Sequence, residues 1–367
     1  MLNSALNVIQ KLEKNGFESY IVGGFVRDYL LGLKTSDVDI CTTATPKQVL
    51  DIFKISSSTK EDYGSLTIIY KKNIFQITTF RKENNYSDYR HPEEIEYTDK
   101  LEEDLLRRDF TINTICIDKK GRIVDKLNGT KDLNSKIIKT VGNSYKKFHD
   151  DPLRILRAIR FAAKLNFDLD EEVINGINKN KYLLKKISYD RKKQELDKIL
   201  LLSNASKGID LLVKLGIDKE LEINNLSDIV VIDSLAGMWA LIDIPKNTYT
   251  FSSSEKQTII DIKKALKIDN LDSYNLYKYG LYPNSIAGVI KGISRNTITE
   301  KYEKLPIHSR KDIKITSYEI MNHLGIKPGP KINKIYEKLE KEILKGDLKN
   351  NKRTIKEYCL KKFSSDI

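Results

Sequence analysis

The hydrophobic positions change period along the chain. Over residues 2–14, Leu2, Leu6, Ile9 and Leu12 fall at helical spacing and predict an amphipathic helix. SYIVGG (19–24) then reads as a strand running into paired glycines, VRDYLLG (26–32) as a short helix stopped by Gly32, and DVDICTT (37–43) as a second strand. SLTIIYK (65–71) and IFQITTF (74–80) predict a hairpin around Lys72 and Asn73, and ICIDKKGRIVD (115–125) predicts another, turning at 119–121. Residues 81–100 are polar with little periodicity and read as a long loop. After Ile174 the strand signal nearly vanishes. Residues 188–204 and 208–217 are helical in pattern, 218–305 alternate helical patches with polar loops, and a last helix carries Ile332, Ile335, Leu339 and Ile343 inward. The pattern predicts an α+β protein: a head with a mixed or antiparallel sheet over 1–140, then an all-α neck (141–205), body (206–305) and tail (306–367).

Composition adds direction. Sixty-four Lys and Arg against fifty-one Asp and Glu leave a net charge of +13, which points to a polyanion: nucleic acid, an anionic membrane surface or phosphorylated substrates. The apolar stretch 229–244 is broken by Asp233 and Asp243 and is too short to span a bilayer, so it reads as a buried core helix. The N-terminus lacks the basic start, unbroken apolar block and cleavage site of a signal peptide. Cys41, Cys116 and Cys359 are odd in number and far apart, which fits a reducing cytoplasm. The four histidines form no metal-ligand spacing, which excludes a histidine–aspartate phosphohydrolase domain.

Several patterns carry chemistry. Asp37 and Asp39 lie two apart on a strand and so share a face; such a pair is either a solvated face or a seat for a hard cation such as Mg²⁺. Gly23 and Gly24, followed by Arg27 and Asp28, form either a tight turn of positive φ or an anion-binding approach to a helix start. DDPLRILRAIRFAAKLNF (150–167) is a helix capped by Asp150 or Asp151, with Arg154, Arg157 and Arg160 every third residue on an otherwise apolar surface. That stripe is either a cleft lining for phosphates and bases or a set of arginines paired to carboxylates in a core. Lys327, Gly329 and Lys331 surround a Gly-Pro turn that is either a phosphate seat or a helix–helix turn. Trp239 reads as core.

Taken together, GGFVRD followed by SDVDI resembles the nucleotidyltransferase active site shared with beta-type DNA polymerases. FQITTFRKENNYSDYRHPEEIEYTDKLEEDLLRRDFTIN (75–113) extends this into a resemblance to class II tRNA nucleotidyltransferases, the CCA-adding enzymes and their bacterial poly(A) polymerase relatives. The signature runs over at least residues 19–200. The resemblance implies that Asp37 and Asp39 bind catalytic Mg²⁺, that Gly24 and Arg27 contact the phosphates of the incoming nucleotide with Gly23 and Asp28 in support, and that Arg108 contacts it directly. Arg107 and Asp109 would be supporting, an ion pair fixing the arginine. It also implies that Asp151 and Arg154 read the base, that Asp150 stands where relatives carry Glu, and that Arg157 and Arg160 are further nucleotide contacts. The implied substrates are tRNA, CTP and ATP, with no membrane and no obligate protein partner.

The base reading is chemically sound, since cytosine and adenine both present an amino donor beside a ring-nitrogen acceptor, whereas guanine and uracil invert the pattern. Residues 81–100, with Tyr86, Asp88, Tyr89, Arg90 and Glu94, resemble the family's flexible loop, whose full length favours complete CCA addition. Residues 188–204 resemble its stabilising helix–turn element, and the tail its tRNA-gripping end. One departure is Gln76, where relatives carry a carboxylate; an amide is a weaker metal ligand and cannot act as a base. A poly(A) or A-only enzyme, and an inactive RNA-binding module on the same fold, remain the alternative readings.

Overall fold

The structure, a computed structural model, describes residues 1–35, 37–54, 64–86, 92–246 and 248–363, with the side chains of 84–86 and 92–94 excepted. The chain divides into two compact units, residues 1–227 with 244–249, and residues 228–243 with 250–367.

The first unit carries every described strand: β1 (Ser19–Val22), β2 (Val38–Thr42), β3 (Ser65–Tyr70), β4 (Asn73–Thr79), β5 (Arg81–Tyr86), β6 (Pro92–Tyr97), β7 (Cys116–Ile117), β8 (Ile123–Val124), β9 (Ile137–Ile138) and β10 (Asp168–Leu169). Six of them form one mixed sheet in the order β3-β4-β2-β1-β7-β8. Strands β2 and β4 run parallel, while β1 runs antiparallel to both β2 and β7. Period-two alternation sorts the two faces. Val38, Ile40, Leu66, Ile68, Phe75 and Ile77 are buried on one side, and Asp39, Gln76 and Thr67 lie in register across β2, β4 and β3 on the other. The sheet therefore presents a polar row on the face away from its core.

The helices of this unit are α1 (Leu2–Lys14), α2 (Gly24–Leu30), α3 (Pro46–Phe53), α4 (Leu101–Leu106), α5 (Gly129–Asn134), α6 (Ser144–Asp150), α7 (Leu153–Leu165), α8 (Glu171–Asn180), α9 (Tyr189–Leu200), α10 (Ala205–Lys214) and α11 (Ile217–Glu220). Helix α1 buries Ala5, Val8, Ile9 and Leu12, the stripe its spacing predicts. At the start of α5, a Cβ on Gly129 would sit 2.2 Å from the Thr111 carbonyl oxygen, so only glycine allows α5 to cross the short turn Thr111–Asn113 so closely.

The first unit differs from the sequence reading in several places. Residues 81–86 and 92–97 are not loop: β5 and β6 pair antiparallel as a separate two-stranded ribbon, followed by α4 from Leu101. The ribbon's sequence, RKENNY and PEEIEY, is polar at successive positions, so backbone pairing leaves no hydrophobic period to read. The β3–β4 hairpin turns one residue earlier than expected, at Lys71 and Lys72, both of positive φ. Asp150 does not cap α7; it ends α6, and Asp151 accepts the Leu153 N–H at 3.2 Å instead. The neck carries one short strand, β10, pairing parallel with β9.

The second unit is helical among its described residues: α12 (Leu235–Leu241), α13 (Ser253–Ala265), α14 (Ser273–Tyr279), α15 (Leu281–Ile290), α16 (Arg295–Glu303), α17 (Ser317–Leu324), α18 (Pro330–Lys345) and α19 (Lys352–Phe363). The predicted helix over 229–244 shortens to α12, because Asp233 turns outward to pair with Arg295 and the Ser234 side chain caps α12 by accepting the Gly237 N–H. Val230 and Val231 are accordingly exposed. Trp239 is buried and meets Phe251 edge-on, a core role. Helices α14 and α16–α19 close over a core that includes Leu276, Ile298, Ile320, Ile335, Leu339 and Ile355. No described helix is long and apolar enough to cross a membrane.

Candidate active site

A cleft of about 900 Å³ opens in the first unit, lined by the β1–α2 turn, β2, the end of α4, α7 and the start of α9. Nine basic and six acidic side chains line it, so it is an ionic site with a cationic excess. Asp37 and Asp39 lie on its wall, as do Gly23, Gly24, Arg27, Asp28, Arg107, Arg108, Asp109, Asp151, Arg154, Arg157 and Arg160. Asp150 lies instead on an adjoining cavity of about 370 Å³. Arg90 falls outside the described residues.

The carboxylate pair follows from strand alternation. Val38 enters the core, while exposed Asp37 and half-buried Asp39 face the cleft. Gly23 has φ +81°, and a Cβ there would stand 3.2 Å from Asp39 Oδ2 and 3.6 Å from Arg108 Nη1. Glycine thus permits both the backbone turn and the approach of the carboxylate to the arginine. Burial raises the Asp39 carboxyl above the usual carboxylate range; Arg108 opposes that rise and Asp37 adds to it. Among the described residues no group of three or more His, Cys, Asp or Glu could hold a metal ion. The chain therefore offers two carboxylates to a hard cation, with further oxygens left to water or substrate phosphate, and that donor set fits Mg²⁺. Gln76 stands opposite Asp39 on β4, donates its amide to Ser65 Oγ at 3.1 Å, and is not among the cleft-lining residues.

The arginines are held by a network of carboxylates. Arg27 donates to Asp28 Oδ1 at 2.7 Å and to Asn113 Oδ1 at 2.6 Å. Lys164 meets the other oxygen of Asp28 at 2.9 Å. Asn113 in turn donates to Asp109 Oδ1 at 3.0 Å, and Arg157 donates to Asp109 Oδ2 at 2.8 Å. Asp109 is thus not the partner of Arg107 or Arg108. Although burial opposes it, Arg157 and the Asn113 amide hold its carboxyl far below the usual range. The group that fixes both arginines is Asp104, fully buried, which takes Arg107 at 2.8 Å and Arg108 at 3.1 Å. Arg108 keeps a buried Nε with no partner among the described residues. On α7, Arg160 pairs with Glu195 at 2.7 Å, and Arg154 donates to the carbonyls of Lys147 and Arg107. The stripe is therefore a cleft wall, along which Arg157 and Arg160 are paired to carboxylates.

The chain can now be set against known proteins. Its residues 19–139 match the Poly A polymerase head domain, 166–223 the probable RNA and SrmB-binding site of polymerase A, and 247–359 the putative domain 2 of tRNA nucleotidyltransferases. It is 36% identical to a CCA-adding enzyme of Ligilactobacillus salivarius, over 97% of this chain and 96% of that protein. The chain belongs to the CCA-adding enzymes. A second relative of that name, from Lactococcus lactis subsp. cremoris, is 34% identical over 95% of this chain and 93% of its own. The crystal structure of the Bacillus stearothermophilus CCA-adding enzyme in complex with CTP is similar with a TM-score of 0.89 at 26% identity, covering 99% and 98% of the two chains. The Thermotoga maritima CCA-adding enzyme complexed with tRNA shares the fold, with a TM-score of 0.71 at 22% identity over 98% and 95% of the two chains. As a CCA-adding enzyme the chain is a tRNA nucleotidyltransferase.

Sequence reasoning missed several residues of this site. Asp104 was legible in principle, since it stands three and four residues before Arg107 and Arg108 on one helix face. Arg191, which reaches Asp151 Oδ1 at 3.2 Å, and Glu195 lie four apart on α9 and brace α7 at two points. Phe161 reads as apolar filling, yet the guanidinium carbons of Arg27, Arg157 and Arg160 stand 4.9, 5.6 and 4.4 Å from its ring centre. In the second unit, Lys327 and Gly329 are exposed, and Gly329 precedes Pro330 at the start of α18 with Lys331 next.

Proposed function

We propose that this CCA-adding enzyme extends the 3′ end of tRNA by C, C and A from CTP and ATP, releasing pyrophosphate, with Mg²⁺ held by Asp37 and Asp39. The observation that carries this reading is a single cleft that holds the carboxylate pair together with Asp151 and Arg154. When bound, Mg²⁺ supplies Lewis-acid activation of the tRNA 3′-hydroxyl and charge stabilisation at the leaving pyrophosphate. The remaining roles fall to the chain. Arg108, with its orphan Nε, meets the triphosphate, and Gly24, Arg27, Arg157 and Arg160 complete a cationic wall for it. Asp151 accepts the exocyclic amino group of cytosine or adenine, and Arg154 donates to the adjacent ring nitrogen. Both described bonds of Asp151, to the Leu153 N–H and Arg191, fall on Oδ1, which leaves Oδ2 for the base. The similarity to a relative solved with CTP supports this assignment. In the second unit, Lys327, Gly329 and Lys331 contact the tRNA backbone. The three free, buried cysteines suit a reducing compartment, and we place the enzyme in the cytoplasm.

The test uses tRNA transcripts ending before, within and after CCA, each with single labelled nucleotides. Addition of C, C and A with arrest after A is the expected result; long A tracts on unrelated RNA would replace this reading with a poly(A) polymerase.

Phe161 gives a finer expectation. Phe161→Leu keeps the apolar volume but removes the ring face beneath three guanidiniums, so KM for CTP and ATP should rise about three- to tenfold with little change in kcat. Phe161→Tyr should restore it. Steady-state kinetics on a tRNA lacking CCA read the difference.

A further inference from the structure

The end of α4 leaves successive backbone carbonyls without helical partners, as every helix C-terminus does. Here each is taken by a cation from another segment. Lys147 Nζ donates to the Leu106 carbonyl at 2.6 Å and to the Arg108 carbonyl at 3.0 Å, and Arg154 Nη2 donates to the intervening Arg107 carbonyl at 3.4 Å. Arg154 Nη1 also donates to the Lys147 carbonyl at 3.3 Å, which joins the two cations. Lys147 lies on α6, four residues before Asp151. The segment that carries the base-reading carboxylate therefore also grips the turn that carries Arg108. We propose that Lys147 is a positioning residue for nucleotide transfer: by holding the Leu106–Arg108 turn, it sets Arg108 in the cleft beside Asp39. This rests on the reading that Arg108 contacts the nucleotide.

The side chain of Arg108 explains why its backbone must be held. Its guanidinium has one described carboxylate partner, Asp104, and its buried Nε has none. Asp104 sits on α4 itself, so it cannot fix α4 against the α6–α7 segment. Lys147 reaches across that gap, over 41 and 39 residues of sequence.

The charge state of Lys147 adds a signature that a purely structural lysine would not have. Burial, reinforced by Arg154, brings its ammonium down to about 7, against the opposing carboxylates of Asp109, Asp150 and Glu83. Arg107 and Lys146 also line the cavity it borders, together with Lys82 and Glu103. A pKa lowered below the ordinary lysine value means the charged clasp is complete well below that pKa, half formed at about pH 7, and lost as pH rises further, because a neutral amine donates more weakly than an ammonium.

The experiment compares wild type, Lys147→Met, Lys147→Arg and Arg108→Ala. The KM and kcat for CTP and ATP are measured from about pH 6 to 9 on a tRNA lacking CCA, with thermal unfolding alongside. In the expected result, Lys147→Met raises KM for both nucleotides about tenfold at pH 6.5–7, with kcat changing less and the preference for C or A unchanged. Wild-type KM rises as pH passes about 7, and Lys147→Arg, charged throughout, moves that limb to higher pH. A folded Lys147→Met with wild-type KM, or a Lys147→Arg with the wild-type limb, overturns the proposal. If Lys147→Met does not fold, the arginine variant still decides through its pH profile. Arg108→Ala separates the two readings: wild-type KM in that variant overturns the nucleotide contact itself, whereas a raised KM there with none in Lys147→Met overturns only the clasp.

Discussion

Asp39→Ala is expected to lower nucleotide incorporation by about 10³-fold or more while tRNA binding stays within about twofold of wild type. The asymmetry comes from where the residue stands. Asp39 is the half-buried member of the pair, against Gly23 and beside Arg108, whereas Asp37 is exposed just outside β2. If the pair holds Mg²⁺ as proposed, removing Asp39 leaves the cation a single carboxylate, and it takes from Arg108 the charge that faces it. Neither loss touches the exposed lysines of the second unit, so the affinity for tRNA, set by backbone phosphates, is preserved. Single-turnover extension of a labelled transcript measures the first quantity and filter retention of the same transcript the second. Turnover within tenfold of wild type would remove Asp39 from the metal site, and a parallel loss of tRNA binding would show a folding defect instead. Gln76 bears on the same chemistry. It shares the sheet face of Asp39 but donates its amide to Ser65 Oγ, so the proposed metal reading rests on the two aspartates without it.

Asp151→Ala is expected to relax base choice by about 10²-fold, seen as UTP and GTP incorporation against CTP and ATP. On the proposed reading, uracil and guanine are rejected because their donors and acceptors would face like groups of Asp151 and Arg154, and deleting the carboxylate removes half of that pattern. A second consequence is local. Arg191 and the Leu153 N–H lose the acceptor they share, so the lead-in to α7 loosens and overall efficiency falls with fidelity. Competition assays with pairs of labelled nucleotides resolve the two effects. Unchanged discrimination with lowered efficiency would make Asp151 a structural brace for α7 and not a reader of the base.

The parts of the head legible in advance were those with a period. Strands β3, β4 and the start of β2 alternate against one core, so those faces followed from Val38, Ile40, Phe75 and Ile77. β1 and the end of β2 also bury Val22 and Cys41 on the other face, in a second cluster with Phe80 and Leu105. The β5–β6 ribbon was not legible, because Arg81, Lys82, Glu83 and their partners Tyr97, Glu96 and Ile95 bury no continuous apolar face. Single motifs were legible as chemistry: two aspartates sharing a strand face, paired glycines before a helix, arginines every third residue. The arginine that Asp109 pairs with differs from the neighbour that the resemblance implied. Asp109 follows Arg108 in the chain, but its carboxylate turns to Arg157, 48 residues away.

What the sequence determined by itself is the periodic helices and strands and the placing of carboxylates and guanidiniums on particular faces of them, because side-chain direction follows from backbone periodicity. The tertiary structure alone decided which charges meet. Lys164 reaches Asp28 across 136 residues, Arg160 reaches Glu195 across 35, and Lys147 closes the end of a helix that precedes it by 41. Charge pairing and desolvation depend on distance and burial in space, to which distance along the chain gives no guide. The same linear stripe of arginines could have lined a dry core; packing of α9 and α4 around it left a cleft of about 900 Å³ in front of paired guanidiniums, and that opening is what leaves an ion-pair network accessible to a ligand.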